Sequence, residues 1–551
     1  MRFGPTPLAE AEGAILAHSV KLTTRSLKKG RRLTLEDISE LAGGGFPNPI
    51  CAVLEPDDVH EDIAADRLAG RVLGPGLNAS SAFTGRANLY AEEAGVVVYD
   101  PGSVQAFNQV DERITLGLVP PYQAVDKGQM VATLKIIPFS APEAAVRKAE
   151  DAAGNELIAL KAFKRTKVGF VQSRLSGTKE SVLDKTSDVT AARLEHADSE
   201  IAREVRCAHD EEAVAAAIAQ TLAEDKPGLI LISGASAVVD RRDVIPAAIE
   251  KAGGEIVQFG MPVDPGNLLL VARIGDVPVL GMPGCARSPK LNGFDWVLQR
   301  VLAGIEVQPN DLMAMGVGGM LKDVPNRPLP RAQARRAAAE AARSPTMAPR
   351  IAAVVLAAGQ SRRMGPTNKL LAEIDGVPMV RRTVENIARS KITEIVAVTG
   401  HEPDQVAAAL AGTPADFVHN PDFADGLSTS LKIGLAQLGE EIDGAIICLG
   451  DMPNVDPRII DRLIAAYDPL EGRAICVPTR GGKRGNPVLW DRRFFEEMGE
   501  LAGDVGARHM IGEYGEMVVE VESDDDGVLL DIDTPDALAE YTRNAGGGQV
   551  A

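Results

Sequence analysis

The chain has 551 residues and a formal net charge of −19, with 45% hydrophobic and 25% charged residues. A chain this long exceeds one core and predicts several domains of roughly 100–200 residues; its composition excludes disordered and fibrous classes, and its charge excludes non-specific binding to nucleic acid or anionic membranes. Cys51, Cys207, Cys285, Cys448 and Cys476 form no CxxC pair, no leader-type apolar stretch follows Met1, and no run approaches the ~20 apolar residues of a membrane span, so the expectation is a cytoplasmic protein with neither a nucleic-acid nor a membrane partner.

In chain order, residues 1–160 mix a helix capped at Thr34-Leu35-Glu36-Asp37 with β-rich runs such as Gly95-Val96-Val97-Val98-Tyr99 and Met130-Val131-Ala132-Thr133-Leu134. Residues 161–322 alternate a buried strand at Lys167-Val168-Gly169-Phe170-Val171, a helix with Val214, Ile218 and Leu222 on one face, and a second buried strand at Gly228-Leu229-Ile230-Leu231-Ile232. Residues 323–349 hold Pro325, Pro328, Pro330, Pro345 and Pro349 around an Ala/Arg-rich stretch without an apolar stripe, the composition of a linker that carries few contacts and leaves its neighbours separable. From 350 to 551 a new domain opens on Ile351-Ala352-Ala353-Val354-Val355-Leu356, a strand apolar on both faces. The fold class expected is α/β: two α/β sheet domains, the second a Rossmann-like sheet, preceded by a β-rich α+β segment.

The chemistry is densest after 350. The turn Leu356-Ala357-Ala358-Gly359, followed by Arg363 and Lys369, offers backbone amides and two cations to a triphosphate. Ala445-Ile446-Ile447-Cys448-Leu449 reads as a buried strand, which puts Gly450 and Asp451 at its carboxyl end, where open α/β sheets bind ligands. Gly426-Leu427-Ser428-Thr429-Ser430 suits a helix start, with Gly426, Ser428 and Ser430 as hydrogen-bonding candidates for base or ribose. His401 and His419 read as structural or ligand-lining, because phosphoryl transfer to an ionised phosphate needs no general base. Asp533 precedes Thr534-Pro535, itself a good N-cap pair, so the residues alone leave capping and metal binding both open.

These segments, together with Val398-Thr399-Gly400-His401, His419-Asn420-Pro421-Asp422-Phe423, Arg484-Gly485-Asn486-Pro487 and Asp531-Ile532-Asp533-Thr534-Pro535, resemble the nucleotidyltransferase superfamily, and within it the molybdenum cofactor cytidylyltransferases. The resemblance implies transfer of CMP from CTP to molybdopterin with release of pyrophosphate. Arg363, Lys369 and Asp451 would be catalytic, magnesium would sit on Asp451 and Asp533, and Asn486, Pro487, Asp504 and Arg508 would meet the pterin. A molybdenum hydroxylase apo-enzyme or its chaperone would receive the product, and the assembly would be a homo-oligomer. Two alternatives stand beside this: the same chemistry with another base or acceptor, such as GTP to molybdopterin, and a non-catalytic molybdopterin carrier or insertion protein.

Upstream, Ser233-Gly234, Asp243, Pro265-Gly266 and Pro283-Gly284 resemble the molybdopterin-binding fold of molybdopterin adenylyltransferases and molybdenumtransferases, which implies that these residues contact the pterin. Ala235 stands where that family has a glycine, one residue is inserted before Arg242-Asp243, and Cys285-Ala286-Arg287 replaces an Asn-Pro pair, so the expected role is binding without chemistry. Lys29-Gly30-Arg31-Arg32-Leu33-Thr34 is similar to the leading segment of molybdenumtransferases.

Overall fold

Continuous apolar runs become parallel strands here because a strand covered by helices on both faces has no polar side to show. The computed structural model describes residues 1–22, 25–321, 347–359, 368–500 and 507–530, so most of the expected linker, 323–349, lies outside the described residues. The strands of the two α/β sheets are labelled in chain order.

The upstream sheet consists of β1 (Lys167–Arg174), β2 (Glu200–Ala208), β3 (Leu229–Ser233), β4 (Glu255–Phe259), β5 (Leu270–Ile274) and β6 (Val277–Met282), in the order β2-β1-β3-β6-β5-β4. The pairs β2/β1, β1/β3 and β3/β6 are parallel, while β5 and β4 finish the sheet antiparallel. Its two faces bury separate clusters, one around Phe170, Leu231 and Phe294 and the other around Val171, Ile218 and Ile249.

The second sheet is built from β7 (Ile351–Ala357), β8 (Glu394–Thr399), β9 (Ala415–His419), β10 (Gly444–Leu449), β11 (Ile475–Arg480), β12 (Lys483–Arg484), β13 (Val488–Asp491) and β14 (Val518–Glu522). The order is β9-β8-β7-β10-β13-β11-β12, with β14 parallel to β11. β9, β8, β7 and β10 all run the same way, so their carboxyl ends line one edge. Every residue of β7 is buried, as its apolar sequence requires.

The first 160 residues hold two hydrophobic clusters. Leu16, Leu27, Leu33, Leu41 and Cys51 form the smaller, beside a helix at Leu35–Gly43. Its capping box is formed by Thr34 and Asp37, and the buried Asp37 carboxylate also accepts from Arg25 and Arg31 at 2.9 Å each. The larger cluster packs the helices Glu61–Val72 and Glu143–Ala153 on an antiparallel sheet that includes Arg86–Ala91 and Met130–Ile136. An apolar side chain of this segment joins another core: Phe83, 9% exposed, packs into the core of the C-terminal sheet beneath the Arg473 guanidinium, 5.9 Å from its ring centre. Linker composition alone predicts units without such a contact. On the other side Arg300 lies 3.8 Å over the Tyr122 ring, tying the segment to the upstream sheet. Among the described residues no helix is long and apolar enough to cross a membrane.

Glu61 opens its helix from a buried position, 8% exposed, with Lys135 Nζ 3.7 Å away. Burial outweighs this ion pair: it pushes the Glu61 carboxyl from 4.5 up to about 7 and the Lys135 ammonium down. The carboxyl therefore holds its proton more tightly folded than unfolded, so its contribution to stability is complete below about pH 4.5 and lost as pH rises through about 7. The span is on the order of 3 kcal/mol. Glu61→Gln should flatten this slope between pH 4.5 and 7, read from urea titrations followed by amide protection in the Glu61–Val72 helix. An unchanged slope in the variant would contradict the assignment.

Candidate active site

Four strand ends build the site in the C-terminal sheet. Leu356 and Ala357 at the end of β7 and Ala358 just after it are nearly fully buried, with Gly359 exposed beyond them. The Gly450 N–H, at the end of β10, donates to the Leu356 carbonyl at 3.1 Å. A Cβ on Gly450 would lie 3.1 Å from that oxygen and 3.2 Å from Leu370 Cδ2, so a side chain there would have to push the two turns slightly apart. Asp451 follows and is 9% exposed. Its Oδ2 is in direct contact with the Lys369 ammonium. Its Oδ1 is buried and has no hydrogen-bond partner among the described residues. A carboxylate oxygen left so is costly unless something completes it, and an oxygen-seeking divalent cation is a natural completion. The donor set therefore fits magnesium at Asp451. Among the described residues no group of three or more His, Cys, Asp or Glu side chains gathers to hold a metal.

The Gly450-Asp451 loop is held from outside the motifs. Thr383, on the buried face of the helix Met379–Ala388, donates to the Gly450 carbonyl at 3.2 Å, and Asn386 donates to the Pro453 carbonyl at 2.8 Å. Neither was expected from the sequence. The available signal was Thr383 itself, a polar residue in the apolar stripe of Met379, Val380, Val384 and Ile387.

The turns after β8 and β9 close the other side. Gly400 lies so near the first turn that a Cβ there would meet Ala358 Cβ at 2.7 Å and Phe423 Cβ at 2.6 Å. The Ala358 methyl thus packs against the Gly400 backbone and sets the place of that turn. Asn420, fully buried, donates from Nδ2 to the hydroxyls of Thr429 and Ser430 at 2.9 Å each. Ser428 and Ser430 are each 3% exposed, so their side chains point into the protein, and the helix Leu427–Ala436 starts at Gly426 (φ +118°) with no side-chain cap. His401 stacks loosely with Phe423, at 6.1 Å between ring centres.

Nearby, the Asn486 N–H donates to the Val528 carbonyl at 2.9 Å, and Pro487 lines a small hollow with Thr383, Cys448, Leu449 and Met452 beside the Asp451 loop. The structure thus brings Leu356–Gly359, Lys369, Gly450, Asp451 and Pro487 together. Arg363, Asp504 and Asp533 lie outside the described residues, as does the side chain of Arg508.

In the upstream domain, Ser233 and Gly234 end β3, and Gly284 begins a short turn after β6. Gly266 (φ +132°) approaches the start of the helix Gly293–Leu302 so closely that a Cβ would lie 2.6 Å from Gly293 N. The Asp243 carboxylate accepts the N–H groups of Val244 at 2.9 Å and Val239 at 3.2 Å, so it is engaged in capping the helix Val244–Lys251. Arg287 reaches across from the β6 turn to the Gly234 carbonyl at 2.6 Å.

Three families match parts of the chain: the MobA-like NTP transferase domain over residues 353–518, the probable molybdopterin binding domain over 152–303, and a domain of unknown function over 5–48. Among similar proteins, the bifunctional protein GlmU of Leifsonia xyli is 32% identical over 120 residues, 21% of this chain and 25% of that protein. The molybdenum cofactor cytidylyltransferase of Escherichia coli is 26% identical over 195 residues, 34% of this chain and 96% of that one. A probable molybdenum cofactor guanylyltransferase of Natronomonas pharaonis is 30% identical over 115 residues, 21% of this chain and 56% of its own length. The chain thus spans a quarter of the first relative, nearly all of the second and just over half of the third. This chain therefore carries a nucleotidyltransferase domain of the MobA-like NTP transferase family, preceded by a domain of the probable molybdopterin-binding family.

Proposed function

We propose that the C-terminal domain transfers CMP from CTP to molybdopterin and that the upstream domain binds the pterin. The terminal phosphate oxygen of the pterin attacks the α-phosphorus of CTP in line. The bond from that phosphorus to the β-phosphate oxygen breaks, pyrophosphate leaves, and a phosphoanhydride joins the two halves of the cytosine dinucleotide product. The observation that carries this reading is the Lys369–Asp451 contact, beside the glycine turn and with Asp451 Oδ1 unpartnered.

The pair is an ion couple in which each partner holds the place of a ligand. An entering triphosphate competes for the Lys369 ammonium, which frees Asp451 Oδ2 while bringing phosphate oxygens alongside Oδ1. Magnesium held at Asp451, with Asp533 as the second expected ligand, would supply positive charge beside the α-phosphate and the leaving group. Lys369 and Arg363 would neutralise the remaining phosphate charge, and Thr383 and Asn386 keep the Asp451 loop still, so catalysis is positioning and charge stabilisation. Pro487 and Asn486 lie where the acceptor would dock.

For the base, the Ala358 methyl packed against Gly400 supports CTP, because a methyl there leaves less room for a purine than a glycine would. Comparison of kcat/KM for CTP and GTP should favour CTP by about tenfold to a hundredfold, the range a steric pocket supplies. Equal use of both, or preference for GTP, would shift the reading to guanylyl transfer.

Asp451→Asn keeps the volume of the side chain and removes its charge. It should lower kcat by about 10²–10³ and weaken the dependence on magnesium concentration, as expected when one preorganised electrostatic contact is lost. Steady-state kinetics across a magnesium series tests this, and turnover close to that of the unsubstituted protein would remove the proposed centre.

A further inference from the structure

In the upstream domain four loops leave the carboxyl ends of the parallel strands, and three of them set side chains in one hydrogen-bonded line. Ser173, near the end of β1, lies 2.8 Å from His209 Nδ1, just past β2. His209 Nε2 lies 2.8 Å from Ser236 Oγ, in the turn after β3. Ser173 is 1% exposed and accepts the Ala235 N–H at 3.0 Å, whereas Ser236 is exposed. The fourth loop, after β6, contributes Arg287, anchored on the Gly234 carbonyl two residues before Ser236.

An accessible hydroxyl within reach of an imidazole, whose other nitrogen is held by a buried polar group, is the arrangement that activates a serine nucleophile. It stands where open α/β sheets present ligands. We propose that this line is a second catalytic site, in which Ser236 attacks an activated ester of a small anionic acid, His209 is its base, Ser173 positions His209, and Arg287 draws in the negative charge. Ser173 Oγ accepts the Ala235 N–H and faces His209 Nδ1, and the catalytic tautomer is the one with its proton on Nδ1, which leaves the Nε2 lone pair facing the Ser236 hydroxyl. In the first step the bond from Ser236 Oγ to the acyl carbon forms, the Oγ proton passes to Nε2, and the alcohol departs with that proton. Water then repeats the sequence on the acyl-enzyme, releasing the acid and restoring Ser236. No residue is shared with the nucleotidyltransferase centre, so the two readings stand or fall separately.

The test uses the full chain and a fluorophosphonate probe, with the adduct located by peptide mapping. Attack forms the Oγ–P bond, fluoride leaves and the proton goes to His209. Ser236 should be labelled, Ser236→Ala should not be, and His209→Gln should slow labelling by about 10²-fold or more, as loss of a general base does. Ser173→Ala should lower kcat for 4-nitrophenyl hydrogen succinate about tenfold at unchanged KM, with recovery in Ser173→Thr, which a purely structural hydroxyl would not give. The protein should prefer that anionic ester over 4-nitrophenyl acetate, and Arg287→Ala should abolish the preference. Circular dichroism and thermal melting verify that each variant is folded. A folded chain with no adduct at Ser236, or one labelled equally fast in His209→Gln, overturns the proposal; an unchanged ester preference in Arg287→Ala overturns its anionic substrate.

Discussion

Parallel strands that are apolar on both faces bury everything except their ends, and that constraint decides where this chain can do chemistry. In β7, β8 and β10 nearly every side chain is sealed between helices, so polar and charged groups appear only where the strands stop. The strands share one direction, and their ends therefore converge on one edge. Lys369, Asp451 and the turn at Leu356–Gly359 meet there for that reason. The upstream sheet repeats the logic with different side chains: β1, β2, β3 and β6 end together, and Ser173, His209, Ser236 and Arg287 gather at that edge.

The net charge of −19 sharpens the demand on such an edge. A triphosphate and a phosphorylated acceptor are both repelled by the whole-protein field, and binding must come from local positive charge at short range. A lysine pointing freely into solvent would be screened and mobile. Held against Asp451 in a position only 16% exposed, the Lys369 side chain is fixed before the ligand arrives, and the ordering entropy is settled in folding rather than in binding. The unpartnered Oδ1 leaves the Asp451 carboxylate with an acceptor that no protein donor fills among the described residues.

Much of this was legible in the sequence. The buried strands at Ile351–Ala357 and Leu229–Ser233 stand out because an unbroken apolar run has one structural meaning between turn residues, and Asp451 could be placed at a strand end on that basis. What stayed hidden depends on pairs distant in sequence. Thr383 and Asn386 look like ordinary helix residues until the Gly450–Pro453 loop is laid beside them. Ser430 reads as a ligand donor in sequence because a hydroxyl at a helix start shows no sign of its partners; only the folded chain lays the fully buried Asn420, ten residues earlier, against it. The Ser173–His209–Ser236 line was equally invisible, since its members belong to three strand ends whose adjacency exists only in the folded sheet.

The same point applies to the modularity that the Pro/Ala/Arg composition of residues 323–349 suggests. A linker limits contacts along its own length and says nothing of contacts made elsewhere by the segments it joins. Phe83 sits 240 residues before the linker begins at 323 and still joins the core of the C-terminal sheet, with Arg473 over its ring. Burying such a side chain stabilises by roughly 1.5–3 kcal/mol, a substantial share of what holds an ordinary domain together. Arg86 to Glu471 at 3.7 Å and Lys28 to the Gly515 carbonyl at 3.4 Å add polar contacts at other points of the same boundary. The first segment therefore acts as part of the scaffold that supports the nucleotidyltransferase sheet.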